Sequence, residues 1–126
     1  LLGAADAAAV DIDPMAVETA YSNLALNGLS KEIYRGFDGD ITCDSALREK
    51  LMTKKYDVVL ANIVADVIIA LSGFVKDFMK DDGMFITSGI IAERTDEVIG
   101  ALKNAGLDVV KVRRMGEWSA AVCKKL

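Results

Sequence analysis

Residues 56–62, with the sequence YDVVLAN, decide the fold class of this 126-residue chain. The apolar run is short enough to form a buried strand, and it ends at a polar residue, Asn62. A helical pattern follows, with one apolar face made of Ile68, Leu71, Val75, Phe78 and Met79. After a turn at Asp81-Asp82-Gly83, Met84–Ser88 predicts a second buried strand. This strand–helix–strand order predicts parallel strands joined by a right-handed crossover.

The same alternation precedes this segment. Ala7–Val10 predicts a buried strand that ends at Asp11. Asp13 suits the cap and Pro14 the first position of a helix, which closes at Asn27-Gly28. The remaining upstream elements are a weaker strand over Lys31–Arg35, a polar loop over Gly36–Asp40 and a short helix over Asp44–Thr53.

Downstream, the pattern changes after one more helix. Glu93–Ala105 predicts that helix, which Gly106 stops. Val109–Arg113 and Trp118–Cys123 predict two strands, and the short connection between them suits an antiparallel hairpin. The whole order predicts an α/β fold in one domain, with a doubly wound, mostly parallel sheet that ends in an antiparallel hairpin.

Composition excludes several classes of function. The net charge is −4 with scattered basic residues, so we expect no direct binding of nucleic acid. No apolar run approaches the roughly 20 residues of a membrane span, and no signal peptide is evident, so we expect a cytoplasmic protein. The absence of histidine argues against Ser-His and Cys-His catalysis and against the usual zinc and iron sites, so no metal is predicted. Cys43 and Cys123 lack CxxC spacing and are expected to be reduced thiols.

Three polar positions, Asp11, Asp40 and Asn62, end or closely follow predicted strands and are candidate ligand sites, because ligands bind beyond the carboxyl ends of parallel strands. Asp11 could accept hydrogen bonds from both ribose hydroxyls of an adenosyl group, with Ile12 offering an apolar surface to the adenine. Capping of the following helix is the alternative role, but Asp13 already suits it. Asp40, in the polar loop, could reach the adenine amine, or it could belong to an ordinary solvated turn.

Asn62 is the candidate catalytic residue. Its carbonyl could accept a hydrogen bond from a substrate amine and so orient the nitrogen lone pair. Such help is valuable, because deprotonating a lysine amine near neutral pH costs roughly 4–5 kcal/mol. The alternative is that Asn62 caps the helix beginning near Ile63 or Val64. Asp11 and Asn62 are expected to border one cleft.

Four motifs together resemble one known family. They are VDIDP at residues 10–14, ANIVAD at 61–66, SGII at 88–91 and GEW at 116–118. In order and context, over essentially the whole chain, they are similar to the ribosomal protein L11 methyltransferases.

The resemblance implies a Rossmann-like class I methyltransferase that uses S-adenosyl-L-methionine to methylate lysine side chains and an N-terminal amine of ribosomal protein L11. It implies that Asp11 is the ribose-binding acid and that Asn62 lies beside the methyl group and the substrate amine. Asn62-Ile63-Val64 departs from the Asn-Pro-Pro-Tyr pattern of many adenine and glutamine methyltransferases, so those substrates come second.

The sequence also departs from the family at its beginning. Family members carry a strand and a Gly-x-Gly-x-Gly loop before the position of Leu1, and a substrate-recruiting domain before that. The resemblance therefore implies that residues 1–126 form a partial domain, incomplete at the N-terminus and inactive in isolation. The missing strand would lie between the strands that end at Asp11 and Asn62.

Other functions remain open at this point. A second methyltransferase class, acting on another amine or on nucleic acid, would share the fold. A nicotinamide-dependent oxidoreductase would also use Asp11, but the terminal hairpin and the lack of histidine or a Tyr-x-x-x-Lys pair disfavour it. A non-catalytic scaffold would keep the fold without the activity.

Overall fold

The computed structural model describes residues 1–126, which divide into a first unit, Leu1–Leu51, and a second unit, Met52–Leu126. The first unit contains β1 (Ala7–Asp11), α1 (Pro14–Leu26) and β2 (Tyr34–Asp38), and α2 (Ser45–Met52) begins in it. β1 and β2 are parallel and pair from Ala7 with Tyr34 to Asp11 with Asp38.

The start of α1 is as predicted. Asp13 Oδ1 accepts a hydrogen bond from Met15 N at 2.9 Å, and Pro14 occupies the first turn, where its missing N–H is not needed. The helix ends at Leu26, with Asn27 as its C-cap and Gly28 at φ +67°. Local sequence signals therefore determine both ends of this element.

The weaker strand over Lys31–Arg35 is wrongly placed. Lys31–Ile33 form a 3₁₀ turn, in which the Ser30 side chain accepts from Glu32 N. The strand begins at Tyr34 and continues to Asp38, through residues predicted as loop. Pairing with β1 decides this register, because it supplies ladder hydrogen bonds that local propensity does not reveal.

The second unit contains β3 (Tyr56–Asn62), α3 (Ala65–Ser72), β4 (Met79–Ile91), α4 (Thr95–Asn104), β5 (Leu107–Met115) and β6 (Trp118–Lys125). Its sheet has the order β3-β4-β6-β5, in which β3 and β4 are parallel and the other two pairs are antiparallel. The predicted parallel pairing of β3 with β4 and the predicted terminal hairpin are both confirmed.

The helical face predicted from Ile68 to Met79 is wrong beyond Ser72. Val75–Asp77 form a 3₁₀ turn, in which Phe78 N donates to Val75 O at 3.0 Å, and Met79 already begins β4. Val75, Phe78 and Met79 are nevertheless buried, so an irregular connection provides the burial that a longer helix would have given.

The predicted turn at Asp81–Gly83 lies within the bounds of β4, where the pairing of β4 with β3 is irregular. Tyr56 pairs with Met79 and Val58 pairs with Met84, so four residues of β4 lie opposite one residue of β3. Gly83 is required there, because a Cβ atom would lie 2.9 Å from Tyr56 O.

The strands are less buried than predicted. In the second unit, α3 and α4 contact each other and pack against β4 and β5, and the sheet face of Phe85 and Cys123 is buried. On the opposite face of the same sheet Val58, Leu60 and Met84 are exposed. The residues of β1 alternate between exposed and half-buried.

The strands form two sheets, β1-β2 and β3-β4-β6-β5, rather than one continuous sheet. β1 is hydrogen-bonded to a strand on one edge only, and so is β3. None of the helices is both long enough and apolar enough to cross a membrane.

Candidate active site

Asp11 lies at the carboxyl end of the first sheet. It is exposed, it pairs in register with Asp38, and its backbone O accepts from Gly39 N at 2.9 Å. Its Oδ1 accepts from Asp13 N at 2.9 Å and so stabilises the turn before α1. Since Asp13 caps the helix, Asp11 does not, and its second oxygen, Oδ2, accepts no hydrogen bond within the chain.

Asp40 follows Gly39, whose N–H donates to Asp11 O at 2.9 Å, and the carboxylate of Asp40 has a local role. Asp40 Oδ1 accepts from Thr42 Oγ1 at 2.6 Å and from Thr42 N at 2.9 Å. These hydrogen bonds, the side-chain one first, hold the pKa of Asp40 below its usual value. The loop is therefore a structured turn, built around this carboxylate.

Mostly apolar residues line the cavity beside Asp11. Ile12 is exposed next to it, as an adenine-contacting residue would have to be. A cavity of about 110 Å³ lies between β1 and α1. Its lining consists of Ala9, Val10, Asp11, Ala16, Val17, Ala20 and Tyr34. Asp11 is the only charged residue in this lining, so the cavity combines an apolar wall with one carboxylate.

Asn62 ends β3, in register with Ser88 of β4. Gly89 follows Ser88 at φ +78°, and a Cβ atom on it would lie 2.7 Å from Asn62 Oδ1 and 3.1 Å from Ile63 O. The asparagine side chain therefore lies directly against a glycine backbone, an approach that the Ser-Gly-Ile motif makes possible.

Asn62 does not cap α3. The N-cap of this helix is Val64, and no side chain caps it. The alternative role considered from the sequence is thus excluded, and the exposed amide of Asn62 remains without that structural function.

Sequence reasoning missed two residues of these strand ends. The sequence predicts Asp38 in a loop, yet it ends β2 opposite Asp11. The sequence predicts no contact for Gly89, although a glycine at the end of the predicted strand Met84–Ser88 indicates close backbone approach. Asp11 and Asn62 belong to different units, so their common cleft stays a prediction. No cluster of three or more His, Cys, Asp or Glu is arranged to hold a metal ion.

Comparison with known sequences gives a family over the full length. Residues 1–126 match the family Ribosomal protein L11 methyltransferase (PrmA). The ribosomal protein L11 methyltransferase of Agathobacter rectalis is 38% identical over 125 residues, which cover 99% of this chain and 39% of that protein. That of Acetivibrio thermocellus is 43% identical over 126 residues, 99% of this chain and 37% of that protein.

Solved structures agree in fold. The ribosomal protein L11 methylase of Lactobacillus delbrueckii subsp. bulgaricus superimposes with a TM-score of 0.84 at 25% identity, covering 98% of this chain and 60% of that one. An S-adenosylmethionine-dependent methyltransferase of Clostridium acetobutylicum gives a TM-score of 0.75 at 12% identity, covering 95% and 75%. The predicted class I methyltransferase fold is thereby confirmed.

The chain spans about two fifths of the length of the curated relatives that it matches. The family match extends over residues 1–126 and so includes both strand ends described above. The chain belongs to the ribosomal protein L11 methyltransferase family.

Proposed function

We propose that this chain takes part in the transfer of methyl groups from S-adenosyl-L-methionine to lysine side-chain and N-terminal amines of ribosomal protein L11. Family membership over residues 1–126 supports this activity. The observation that carries it is the position of Asn62, exposed at the end of β3, against Gly89 and not used as a helix cap.

Asp11 is the proposed ribose-binding residue. Bound S-adenosylmethionine supplies an electrophilic methyl group, and the chain must hold the nucleoside in place. The exposed carboxylate of Asp11 can accept from a ribose hydroxyl through Oδ2, while Oδ1 remains bonded to Asp13 N. A hydrogen bond to a charged acceptor contributes about 1.5–3 kcal/mol. Ile12 is proposed to contact the adenine ring.

Asp40 is proposed to contribute to the nucleoside site mainly through its loop. Its Oδ1 is occupied by Thr42, which leaves Oδ2 as the side-chain acceptor for an exocyclic amine. Because the pKa of Asp40 is lowered by those hydrogen bonds, the carboxylate stays ionised and cannot act as a donor.

Asn62 is the proposed catalytic residue. Its Oδ1 accepts a hydrogen bond from the substrate amine and thereby aims the nitrogen lone pair at the methyl carbon. The contact with Gly89 restricts where Oδ1 can lie, and such preorganisation favours transfer, because misplacement of a reacting group by about 1 Å can cost a hundredfold in rate.

The complete protein is proposed to contain more than this chain. The matched relatives are more than twice as long as the stretch they share with it. We propose that a first strand, a glycine-rich loop and a substrate-recruiting domain are encoded outside residues 1–126, and that this chain alone is inactive. Because the proposed substrate is a ribosomal protein, the reaction is placed in the cytoplasm, and no direct contact with nucleic acid is required.

The test is methyl transfer by the complete protein. We expect label from methyl-tritiated S-adenosylmethionine to appear in purified ribosomal protein L11 but not in an unrelated basic protein. Binding of S-adenosylhomocysteine without transfer to any amine would favour the scaffold function. Tighter binding of NADH than of S-adenosylhomocysteine would favour the oxidoreductase.

A further inference from the structure

Four large apolar side chains are exposed at the end of the second unit's sheet that carries Asn62. They are Val64, Ile91, Met115 and Trp118, which are 64%, 44%, 83% and 54% exposed. Ile91 pairs with Trp118 across β4 and β6, and Met115 pairs with Trp118 across β5 and β6. Residues directly opposite each other in antiparallel strands share a sheet face, so these three side chains are neighbours. We call the four residues the apolar patch.

A cavity of about 110 Å³ adjoins this patch. Its lining consists of Val64, Ala65, Asp66, Gly89, Ile91 and Arg94. Val64 and Ile91 belong to both the cavity and the patch, and Gly89 contacts Asn62. A cavity of about 150 Å³ can hold a benzene molecule, so this one has room for a short aliphatic chain. The cavity therefore lies next to the residue proposed to orient the amine.

The charged residues around the patch are predominantly acidic. Arg94 donates to Asp66 at 2.7 Å and also to Glu97, and the hydrogen bonds to these two carboxylates, those to Glu97 first, raise its pKa. Arg114 donates to Asp96 at 3.3 Å. Both guanidinium groups are therefore already paired with carboxylates.

Two further carboxylates flank the patch. Glu93 follows Ile91 by two residues, and Glu117 directly precedes Trp118. The backbone hydrogen bond from Ala92 N to Glu117 O, at 2.9 Å, joins the strand ends that carry them. The five carboxylates, those of Asp66, Glu93, Asp96, Glu97 and Glu117, outnumber the three guanidinium groups of this region, those of Arg94, Arg113 and Arg114. We call these carboxylates the acidic rim, and they complement a positively charged partner.

We infer that the apolar patch and its cavity bind the segment of the protein substrate that carries the target amine. An aliphatic side chain of that segment enters the cavity, and its basic residues face the acidic rim. A lysine-bearing segment has both properties, since its side chain is an aliphatic stem with a cationic end. This inference rests on the proposed function, because it assigns the substrate side of the same site.

The experiment measures binding separately from turnover. Titration calorimetry of the complete protein, saturated with S-adenosylhomocysteine, gives the Kd for ribosomal protein L11. We expect Trp118→Ser and Met115→Ser each to raise this Kd about tenfold, as loss of a central apolar anchor does. Met115 is almost fully exposed, so its replacement leaves folding intact. Glu117→Lys should weaken binding most at low salt.

Val110→Ser is the matched control, because Val110 is an exposed residue of β5 outside the patch. It should leave the Kd for ribosomal protein L11 unchanged, and all four variants should keep the Kd for S-adenosylhomocysteine. An unchanged Kd for the ribosomal protein in both Trp118→Ser and Met115→Ser overturns the inference.

The two proposals fail differently. Binding that depends on the patch but leads to no methyl transfer refutes the proposed activity and supports the docking surface. If the patch variants leave the KM for ribosomal protein L11 unchanged in methyl transfer, only the inference about the apolar patch is refuted.

Discussion

Gly89 lies so close to Asn62 that a Cβ atom at position 89 would be 2.7 Å from Asn62 Oδ1. The backbone conformation at Gly89, φ +78°, independently favours glycine. The asparagine that ends β3 is thus accommodated by a glycine within β4, so a substitution at either position should affect the other.

Gly89→Ala should therefore damage both stability and catalysis. The positive φ alone costs about 1–2 kcal/mol for a residue with a Cβ atom. The new Cβ must also displace Asn62 Oδ1, and we expect kcat to fall on the order of tenfold to a hundredfold. Urea unfolding and steady-state methyl transfer, both on the complete protein, measure the two effects.

Gly100→Ala is the control for this substitution. Gly100 lies within α4, and a Cβ atom there meets nothing within 4 Å. Alanine in a helix interior is favoured over glycine by roughly 0.5–1 kcal/mol, so this variant should be slightly stabilised and fully active. Wild-type kcat in Gly89→Ala would show that Asn62 is not held by this contact.

Asp11→Asn separates the two roles of Asp11. Asparagine keeps an oxygen that can accept from Asp13 N, so the turn before α1 should survive. The charge and one acceptor are lost, and we expect the Kd for S-adenosylhomocysteine to rise about tenfold. Calorimetry gives the Kd, and thermal unfolding reports on the fold.

Asp13→Asn is the matched change at the helix cap. Asparagine caps helices as well as aspartate does, so binding and stability should both stay close to those of the wild type. Equal affinity in Asp11→Asn and wild type would contradict the assignment of Asp11 to the ribose.

The elements that the sequence predicted best are those with local signals. Asp13 and Pro14 determine where α1 begins, and the short connection between β5 and β6 determines a hairpin. Where pairing between strands determines the bounds of an element, the prediction is wrong. β2 takes its register from β1, and Gly36 within β2 weakens the local strand pattern. The contact between Gly89 and Asn62 joins two strands, so no single segment could reveal it.

Asn62→Ala should lower kcat while leaving the affinity for S-adenosylhomocysteine near the wild-type value. The amide is proposed to act on the amine in the transition state, and an interaction realised there affects kcat and kcat/KM together. We expect a loss of about tenfold or more, as for one positioned hydrogen-bonding group.

Asn104→Ala provides the comparison, because Asn104 is an exposed asparagine at the end of α4. Its removal should change neither kcat nor the Kd for S-adenosylhomocysteine. If Asn62→Ala instead raised the Kd for the cofactor with an unchanged kcat, Asn62 would be a binding residue and not one that orients the amine.

Cys43 reports on the geometry of the Asp40 turn. Desolvation raises the pKa of its thiol above the ordinary value of a cysteine, and the Asp40 carboxylate raises it further. Since the thiolate is the reactive form, alkylation by iodoacetamide should be slow near neutral pH, and its inflection should lie above the pH at which an ordinary cysteine thiol ionises. Asp40→Asn removes a negative charge that opposes ionisation, so the inflection should move to lower pH.

Mass spectrometry of the peptide that contains Cys43 follows this reaction in the complete protein. Asp44→Asn should shift the inflection less, because the charge of Asp44 contributes less than that of Asp40. Cys123 serves as an internal reference: burial raises its pKa to about 11, and it should stay unmodified while the protein is folded. If the inflection lies at the same pH in Asp40→Asn and in the wild type, the Asp40 carboxylate does not raise the pKa of the Cys43 thiol. That result would contradict the proximity of these two side chains in the turn.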